Sequence, residues 1–212
     1  MNKIKKIVQL GIITFSIFSA FEIGYGCKSR ILESSFDSNE KTLYQLDENI
    51  NNTIYRAAVE LANNVTWIYD PAYYKINYPN GDVPSGGACT DVVIRVMRKN
   101  GMDLQQLIHN DMTANFSEYP NRWGLNKTDA NIDHRRVPNM MKYFERQGFD
   151  IAVSNNAADY LPGDIVTWEL SPGITHIGIV LNNQDIFHNM GPTSRIESGF
   201  LFSHHIIGHY RI

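Results

Sequence analysis

The sequence predicts an α+β domain in which helices come first and an antiparallel sheet follows. Apolar residues recur at helical spacing as far as Gln147, whereas from Asp150 onward they form short runs separated by Pro-Gly and Gly-Pro turns. Such a change of periodicity within one chain is typical of an α+β fold. A further observation concerns Cys89, which follows a Gly-Gly turn and begins one of the predicted helices.

The first 26 residues have the pattern of a signal peptide and are excluded from the predicted fold. Three lysines precede an apolar run over 7–21, which is too short to span a membrane, and small residues precede Cys27. A cut before Cys27 fits bacterial lipoprotein processing, although Gly24 stands where leucine is usual. We therefore expect an exported protein of the bacterial cell envelope that contacts the membrane through lipidated Cys27. A periplasmic or secreted protein, or an uncleaved anchor, is the alternative.

Charge and cysteine content limit the classes of partner. Removing 1–26 takes away three lysines and Glu22, so the formal charge changes from −3 to −5. A mildly acidic chain without a basic stripe excludes nucleic acid as the main partner. We expect residues 27–49 to form a polar tether and 50–212 a single domain that acts as a monomer. Two cysteines are too few for a disulfide framework, and a Cys27–Cys89 bridge is the alternative to a free thiol.

Four helices and five strands account for most of the predicted domain. Segment 69–85 is expected to be an ordered loop because it is rich in tyrosine, proline and glycine, and 113–136 is expected to be a surface loop. The helices are expected near 50–65, from Cys89 to Asn100-Gly101, near 103–111 and near 137–147. The strands are expected at 150–154, 163–170, 176–182, 185–189 and 206–212.

The residues that indicate chemistry are Cys89, His176 and His188. A thiol in the first turn of a helix faces unpaired backbone N–H groups and the positive end of the helix dipole, so we expect its thiolate form to be favoured. His176 begins one predicted strand and His188 ends the next. Cysteine, histidine and a polar orienting residue together suffice for acyl transfer. Asn189 competes with His188 for the orienting role, since strand register decides which of them faces His176.

Three stretches of sequence resemble the NlpC-like branch of the papain-like cysteine hydrolases, whose members cut cell-wall peptides. They are Ser85–Thr90 with its glycine-led cysteine, Leu161–Val166 with Pro-Gly-Asp, and His176–Leu181 with its leading histidine. The resemblance implies a papain-like fold, with Cys89 as nucleophile, His176 as general base and then acid, and His188 as the residue that orients His176. It also implies that Tyr78 lies near the oxyanion site, with Asn189 as the alternative orienting residue.

From Tyr69 onward the chain also resembles an uncharacterised family of exported bacterial proteins. The shared stretches are Tyr78–Asp82, Cys89–Arg95, Asn131–Asn139, His188–Gly191 and Gly208–Arg211. This resemblance implies a family whose substrate is unknown.

Two features depart from the NlpC-like pattern. Asp91 stands where glycine is usual, and its spacing to Arg95 predicts an ion pair one helical turn apart. The 87 residues from Cys89 to His176 include an insertion that forms either a substrate wall or ordinary packing. A mixed-charge cluster precedes a predicted helix: Asp133, His134, Arg135 and Arg136. Its arginines could bind a peptide carboxylate through paired hydrogen bonds, so we expect the cluster, together with Asp91, to bind substrate; an ion-pair cluster on the surface at the helix start is the alternative.

The sequence therefore predicts an exported thiol hydrolase that cleaves an amide in the cell envelope, in peptidoglycan stem peptides, and needs no cofactor. The alternatives are a catalytically inactive module that binds wall peptide or a partner, and an acyltransferase that uses the same triad. No metal site is expected, because the clustered histidines lack an accompanying carboxylate or cysteine: His204, His205 and His209.

Overall fold

A computed structural model describes residues 43–49, 52–182 and 184–212. Its first part is helical, and local capping explains where two of the helices begin. The Asn52 side chain accepts hydrogen bonds from the N–H groups of Ile54 and Tyr55, and Asp103 accepts one from Gln105. The helices are α1 (Thr53–Asn64), α2 (Cys89–Lys99), α3 (Leu104–Ala114) and α4 (Val137–Arg146).

The second part is a six-stranded antiparallel sheet, which confirms the predicted α+β order. The strands lie in the order β1-β6-β2-β3-β4-β5. The segment Ser194–Glu197 was not expected to be a strand, because half of its residues are charged and only Ile196 is apolar. The strands are β1 (Asp150–Ile151), β2 (Ile165–Ser171), β3 (Ile174–Val180), β4 (Ile186–Asn189), β5 (Ser194–Glu197) and β6 (His205–Tyr210).

Alternation along β3 divides the buried residues between two clusters. Ile177 and Ile179 pack in the main core with the helices, whereas Val180 packs in a second cluster on the other face, together with Trp168 and Phe200. The sheet is therefore buried on both faces at its centre, which explains why its strands are apolar runs rather than clean alternations.

The described part of the expected tether, 43–49, lies along α1. The backbone N–H of Tyr44 donates to Asn63 Oδ1 (2.8 Å), and that of Asp47 donates to the Tyr55 hydroxyl (3.0 Å). The predicted signal peptide, Cys27 and the rest of the tether lie outside the described residues. Within the described ranges, no helix is long and apolar enough to cross a membrane.

The segment expected to be a surface loop, 113–136, is instead buried at its end. Asp133–Arg135 form a 3₁₀ turn whose three side chains are all buried. The Asp133 carboxylate accepts a hydrogen bond from the Asp129 N–H, and the Asn139 side chain donates to the Asp133 carbonyl at 3.0 Å. Polar side chains that satisfy one another in this way give no apolar pattern in the sequence, so periodicity could not reveal the turn.

Candidate active site

The cysteine turn is shaped by two glycines and one carboxylate. Gly86 and Gly87 have φ values of +64° and +141°, in the region that favours glycine. A Cβ on Gly87 would lie 2.7 Å from the Cβ of Asp91, so no larger residue fits there. The Asp91 carboxylate accepts a hydrogen bond from the Ala88 N–H at 2.6 Å. The chain therefore enters α2 with Cys89 as its first residue.

Neighbouring segments fix the position of this turn. The Gly87 N–H donates to the Ile68 carbonyl (3.0 Å), and the Gly87 carbonyl accepts from the Asp70 N–H (3.1 Å). The same carbonyl accepts from the Asn189 side chain at 2.7 Å, and that side chain also donates to the Trp67 carbonyl at 3.3 Å. The turn is therefore tied both to the loop before it and to the end of β4.

The Cys89 thiol is free and partly buried. Burial raises its pKa to about 11, although the backbone N–H groups of Ile177 and Thr90 point to the sulfur and oppose this rise. The negative charge of Asp91 also contributes to the rise. The expectation that the helix start favours the thiolate is therefore wrong for the protein without substrate, because desolvation outweighs the hydrogen bonds from these backbone N–H groups.

His176 and His188 are hydrogen-bonded to each other. Nε2 of His176 lies 2.8 Å from Nδ1 of His188, and both side chains are buried. Their rings pack against Phe200, and that of His176 also packs against Trp168. Gly178 leaves the space for this pair, since a Cβ there would lie 3.2 Å from the Cβ of His188. The residue after His176, Ile177, directs its backbone N–H toward the Cys89 sulfur, so β3 carries both the histidine and a contact to the cysteine.

Both histidines are neutral at pH 7. Burial, with a smaller contribution from the positive charge of Arg195, lowers the pKa of His176 and that of His188 to about 3. The other ring nitrogen of His188, Nε2, lies 3.2 Å from Oε2 of Glu197. Glu197 forms an ion pair with Arg195 at 2.6 Å. Sequence reasoning missed Glu197, because its strand was not recognised and a lone carboxylate carries no signature.

The structure distinguishes the two candidates for the orienting residue. His188 contacts the His176 ring, whereas Asn189 lies on the opposite face of β4 and bonds to the cysteine turn. Asn189 is thus a neighbour of Cys89 rather than of His176.

Asp91 pairs with Arg135 and not with Arg95, so the predicted helical pair is wrong. Nε and Nη2 of Arg135 donate to the two oxygens of Asp91 at 2.9 and 3.0 Å. Both side chains are at most 3% exposed. Arg95 instead donates to Asp82, because that carboxylate lies beside it on the incoming loop.

The other expected substrate-binding residues also have internal partners. Arg135 donates to the carbonyl of Ala72 at 2.6 Å, and Asp133 pairs with Arg136 at 3.5 Å. His134 is buried, and burial lowers its pKa to about 3. Arg136 stacks on Trp123, with 4.1 Å from its guanidinium carbon to the ring centre. The structure thus encloses most of this group in the protein, rather than presenting it as a surface for substrate.

Tyr69, not Tyr78, is the tyrosine that lies close to the cysteine. Burial raises the pKa of Tyr69, and the nearby charge of Cys89 adds to the rise. The hydroxyl of Tyr78 donates to Asn110 at 3.0 Å, and its ring packs edge-on against His109. Tyr69 belongs to the tyrosine-rich loop of the sequence, but nothing in its spacing singled it out.

The C-terminal histidines do not converge. His209 bonds to Asp164 at 2.7 Å and stacks on Tyr160, whereas His205 is exposed. Among the residues that the structure describes, no three histidine, cysteine, aspartate or glutamate side chains group as a metal site.

Comparison with solved structures gives weak similarities. NlpC2 and NlpC1 from Trichomonas vaginalis share 16% and 15% identity with the chain, at TM-scores of 0.44 and 0.42, over 81% of this chain and 50% and 48% of theirs. A lipoprotein-like member of the NLP/P60 family from Staphylococcus aureus subsp. aureus Mu50 shares 12% identity at a TM-score of 0.40, over 82% of this chain and 44% of its own. The chain thus spans half or less of each.

Sequence comparison gives a stronger result. The chain is 44% identical to the uncharacterized protein YijF of Escherichia coli (strain K12) in an alignment of 177 residues that covers 80% of this chain and 85% of YijF. Residues 55–212 match the family described as Domain of unknown function (DUF1287). That match includes α2, the whole sheet and every residue of the candidate site. The chain therefore belongs to the DUF1287 family.

Proposed function

We propose that this protein is a thiol hydrolase that uses Cys89, His176 and His188. The observation that carries the proposal is the 2.8 Å bond between the two buried histidines. Cys89 begins α2, and the backbone N–H of Ile177, the residue after His176, points to its sulfur. Packing alone does not require a buried pair of neutral imidazoles, because apolar residues would fill the same space without desolvating polar atoms. The order of nucleophile, base and orienting residue is that of papain-like enzymes.

At rest the cysteine is a thiol and both histidines are neutral, so no ion pair forms before substrate binds. The sulfur attacks the amide carbonyl as its proton passes to Nδ1 of His176, the nitrogen not occupied by His188. The protonated His176 gives that proton to the amine as the C–N bond breaks, leaving a thioester. Water then loses a proton to His176 and attacks the thioester, which releases the acid and returns the proton to the sulfur.

The negative oxygen formed in the attack needs hydrogen-bond donors. The Cys89 backbone N–H, in the first turn of α2, has no helical partner. The Tyr69 backbone bridges to Gly87 of the cysteine turn, and the charge of Cys89 acts on the Tyr69 hydroxyl. Each such donor contributes roughly 3–4 kcal/mol to stabilising the transition state in enzymes of this kind. This supports an assignment of Tyr69, rather than Tyr78, to the oxyanion site.

We propose a peptidoglycan stem peptide as the substrate and the cell envelope as the location. The signal-peptide pattern and the candidate lipid site at Cys27 support export, and the NlpC-like motifs around Cys89 and His176 support a wall peptide. The chemistry needs neither a metal nor an organic cofactor.

The test is to incubate the purified full chain with defined stem peptides and to identify the products by mass spectrometry. We expect the wild type to release a new amine and a new carboxylate, whereas Cys89→Ala and His176→Ala release neither. Circular dichroism must show that both variants remain folded. An amide cleavage that persists in Cys89→Ala would refute the proposed nucleophile.

The raised pKa of Cys89 favours a second candidate, a binding module with an inert thiol. Such a module would bind stem peptide with equal affinity in the wild type and in Cys89→Ala, and would never accumulate a thioester. An acyltransferase using the same triad would instead join the acyl group to an added amine, so analysis of the products separates it from a hydrolase.

A further inference from the structure

We infer that Glu197, held by Arg195, is a positioning residue that acts through His188 to determine which nitrogen of His176 is free to take a proton. The inference extends the proposed function, and a role for Glu197 in catalysis rests on that function. The protonation pattern itself can be measured whether or not the protein is a hydrolase.

The first step is the bond between His188 and Glu197. The carboxylate of Glu197 is ion-paired with Arg195 and can only accept hydrogen bonds. Nε2 of His188, at 3.2 Å from Oε2, must therefore carry the proton of that bond. A neutral imidazole has one N–H, so Nδ1 of His188 is left as an acceptor.

The second step passes this constraint to His176. Because Nδ1 of His188 accepts, Nε2 of His176, at 2.8 Å, must be the donor. The single N–H of neutral His176 is then used, and its Nδ1 is left with a lone pair. That is the form a general base needs, whereas the opposite pair of tautomers would place a proton on Nδ1 of His176.

The surroundings exclude a doubly protonated alternative at neutral pH. Burial lowers the pKa of both rings to about 3, and the positive charge of Arg195 opposes protonation of His188 to the imidazolium. Each ring carries one proton. The Glu197 carboxylate, which can only accept, lies at the end of the hydrogen-bonded series from His176 through His188, and it selects between the two tautomer patterns. A side chain at position 197 that could both accept and donate would no longer favour one tautomer pattern over the other.

The strand register explains how Glu197 reaches this position. His188 of β4 lies opposite Arg195 of β5, and Ile186 lies opposite Glu197, so the two charged side chains share the face of His188. Nε and Nη2 of Arg195 donate to Oε2 of Glu197 at 3.0 and 2.6 Å, and its Nη1 donates to the Gly191 carbonyl at 2.6 Å. The arginine thus anchors the carboxylate to the turn that joins the two strands.

The test is long-range ¹H–¹⁵N NMR of the full chain labelled with ¹⁵N-histidine, which distinguishes protonated from unprotonated ring nitrogens. Signals lost in His176→Gln and in His188→Gln assign the two rings. We expect both to be Nε2–H tautomers in the wild type at pH 7. Glu197→Gln, whose amide can accept or donate, and Glu197→Ala should both give mixed tautomers. As a control, Glu145→Gln makes the same carboxylate-to-amide change at an exposed position on α4, and it should keep the wild-type tautomer pattern.

An Nδ1–H tautomer of either ring in the wild type would overturn the inference, as would an unchanged pattern in Glu197→Ala. If the stem-peptide assay succeeds, Glu197→Gln should lower kcat about 10- to 100-fold with little change in KM, the range found for carboxylates that orient metal-binding histidines. If that assay fails while the tautomers respond as expected, the proposed function is refuted and the positioning role of Glu197 stands.

Discussion

The guanidinium of Arg135 donates two hydrogen bonds, of 2.9 and 3.0 Å, to the Asp91 carboxylate in the interior of the protein. Asp91 lies in the first turn of the cysteine helix, and Arg135 also binds the carbonyls of Asp70 and Ala72. The pair therefore joins α2 to the loop that carries Tyr69. The Asp91 charge, which by itself would oppose a thiolate at Cys89, has a positive partner.

Removing Arg135 should strongly destabilise the fold. Arg135→Met leaves an uncompensated buried carboxylate, which typically costs about 3–5 kcal/mol of unfolding free energy. The double variant Asp91→Asn, Arg135→Met should recover part of this loss, because the charge is gone. Urea unfolding of the single and double variants measures the coupling. Lys142→Met, which removes a more exposed ion pair with Glu145, should cost less than about 1 kcal/mol. Equal losses from Arg135→Met and Lys142→Met would contradict this account.

The Cys89 thiol should react slowly at neutral pH in the absence of substrate. Because burial raises its pKa to about 11, the rate of alkylation by iodoacetamide should still rise with pH between 9 and 10. The measurement uses a variant with Cys27 replaced by serine, so that a single thiol is followed. A rate that levels off below about 8.5, the ordinary cysteine pKa, would show that the thiolate is stabilised at rest.

Tyr69 and Tyr78 provide a matched pair of substitutions. If the Tyr69 hydroxyl donates to the oxyanion, Tyr69→Phe should lower kcat by about 10²–10³-fold. Tyr78→Phe removes only a hydrogen bond to Asn110 and should leave kcat nearly unchanged. Steady-state kinetics on a cleaved stem peptide tests both. A larger loss in Tyr78→Phe than in Tyr69→Phe would return the oxyanion role to Tyr78.

Acid should destabilise the protein through its buried histidines. His134, His176 and His188 have pKa values of about 3 in the folded state, below the ordinary value of about 6.5 of the unfolded chain. The unfolded state therefore binds more protons below about pH 6.5, and the stability that these neutral rings contribute above that pH is lost as the pH falls toward 3. Each histidine can contribute a slope of up to about 1.4 kcal/mol per pH unit.

Urea unfolding between pH 7 and pH 5 measures this slope before most carboxylates titrate. His134→Gln should reduce the slope, whereas His205→Gln, at an exposed position, should leave it unchanged. Stability that is independent of pH across this window would show that the three rings are not buried in neutral form.

The helices and most of the sheet were predictable because each follows from a local pattern. Cys89–Lys99 has a glycine-led start and apolar residues at helical spacing, and β3 is mainly apolar after His176. β5 and the buried turn Asp133–Arg135 were not predictable. Their side chains are polar, and only partners distant in sequence, such as His188 for Glu197 and Asp91 for Arg135, make them part of the interior.

The sequence by itself determined the order of helices and strands, the start of a helix at Cys89 and the two histidines twelve residues apart. The tertiary structure decided that His188 rather than Asn189 contacts His176, that Asp91 pairs with Arg135, and that burial raises the pKa of the thiol. The physical reason is the range of the interactions. Backbone propensity and periodicity act between near neighbours, whereas strand register, ion pairing and desolvation depend on residues brought together only by folding.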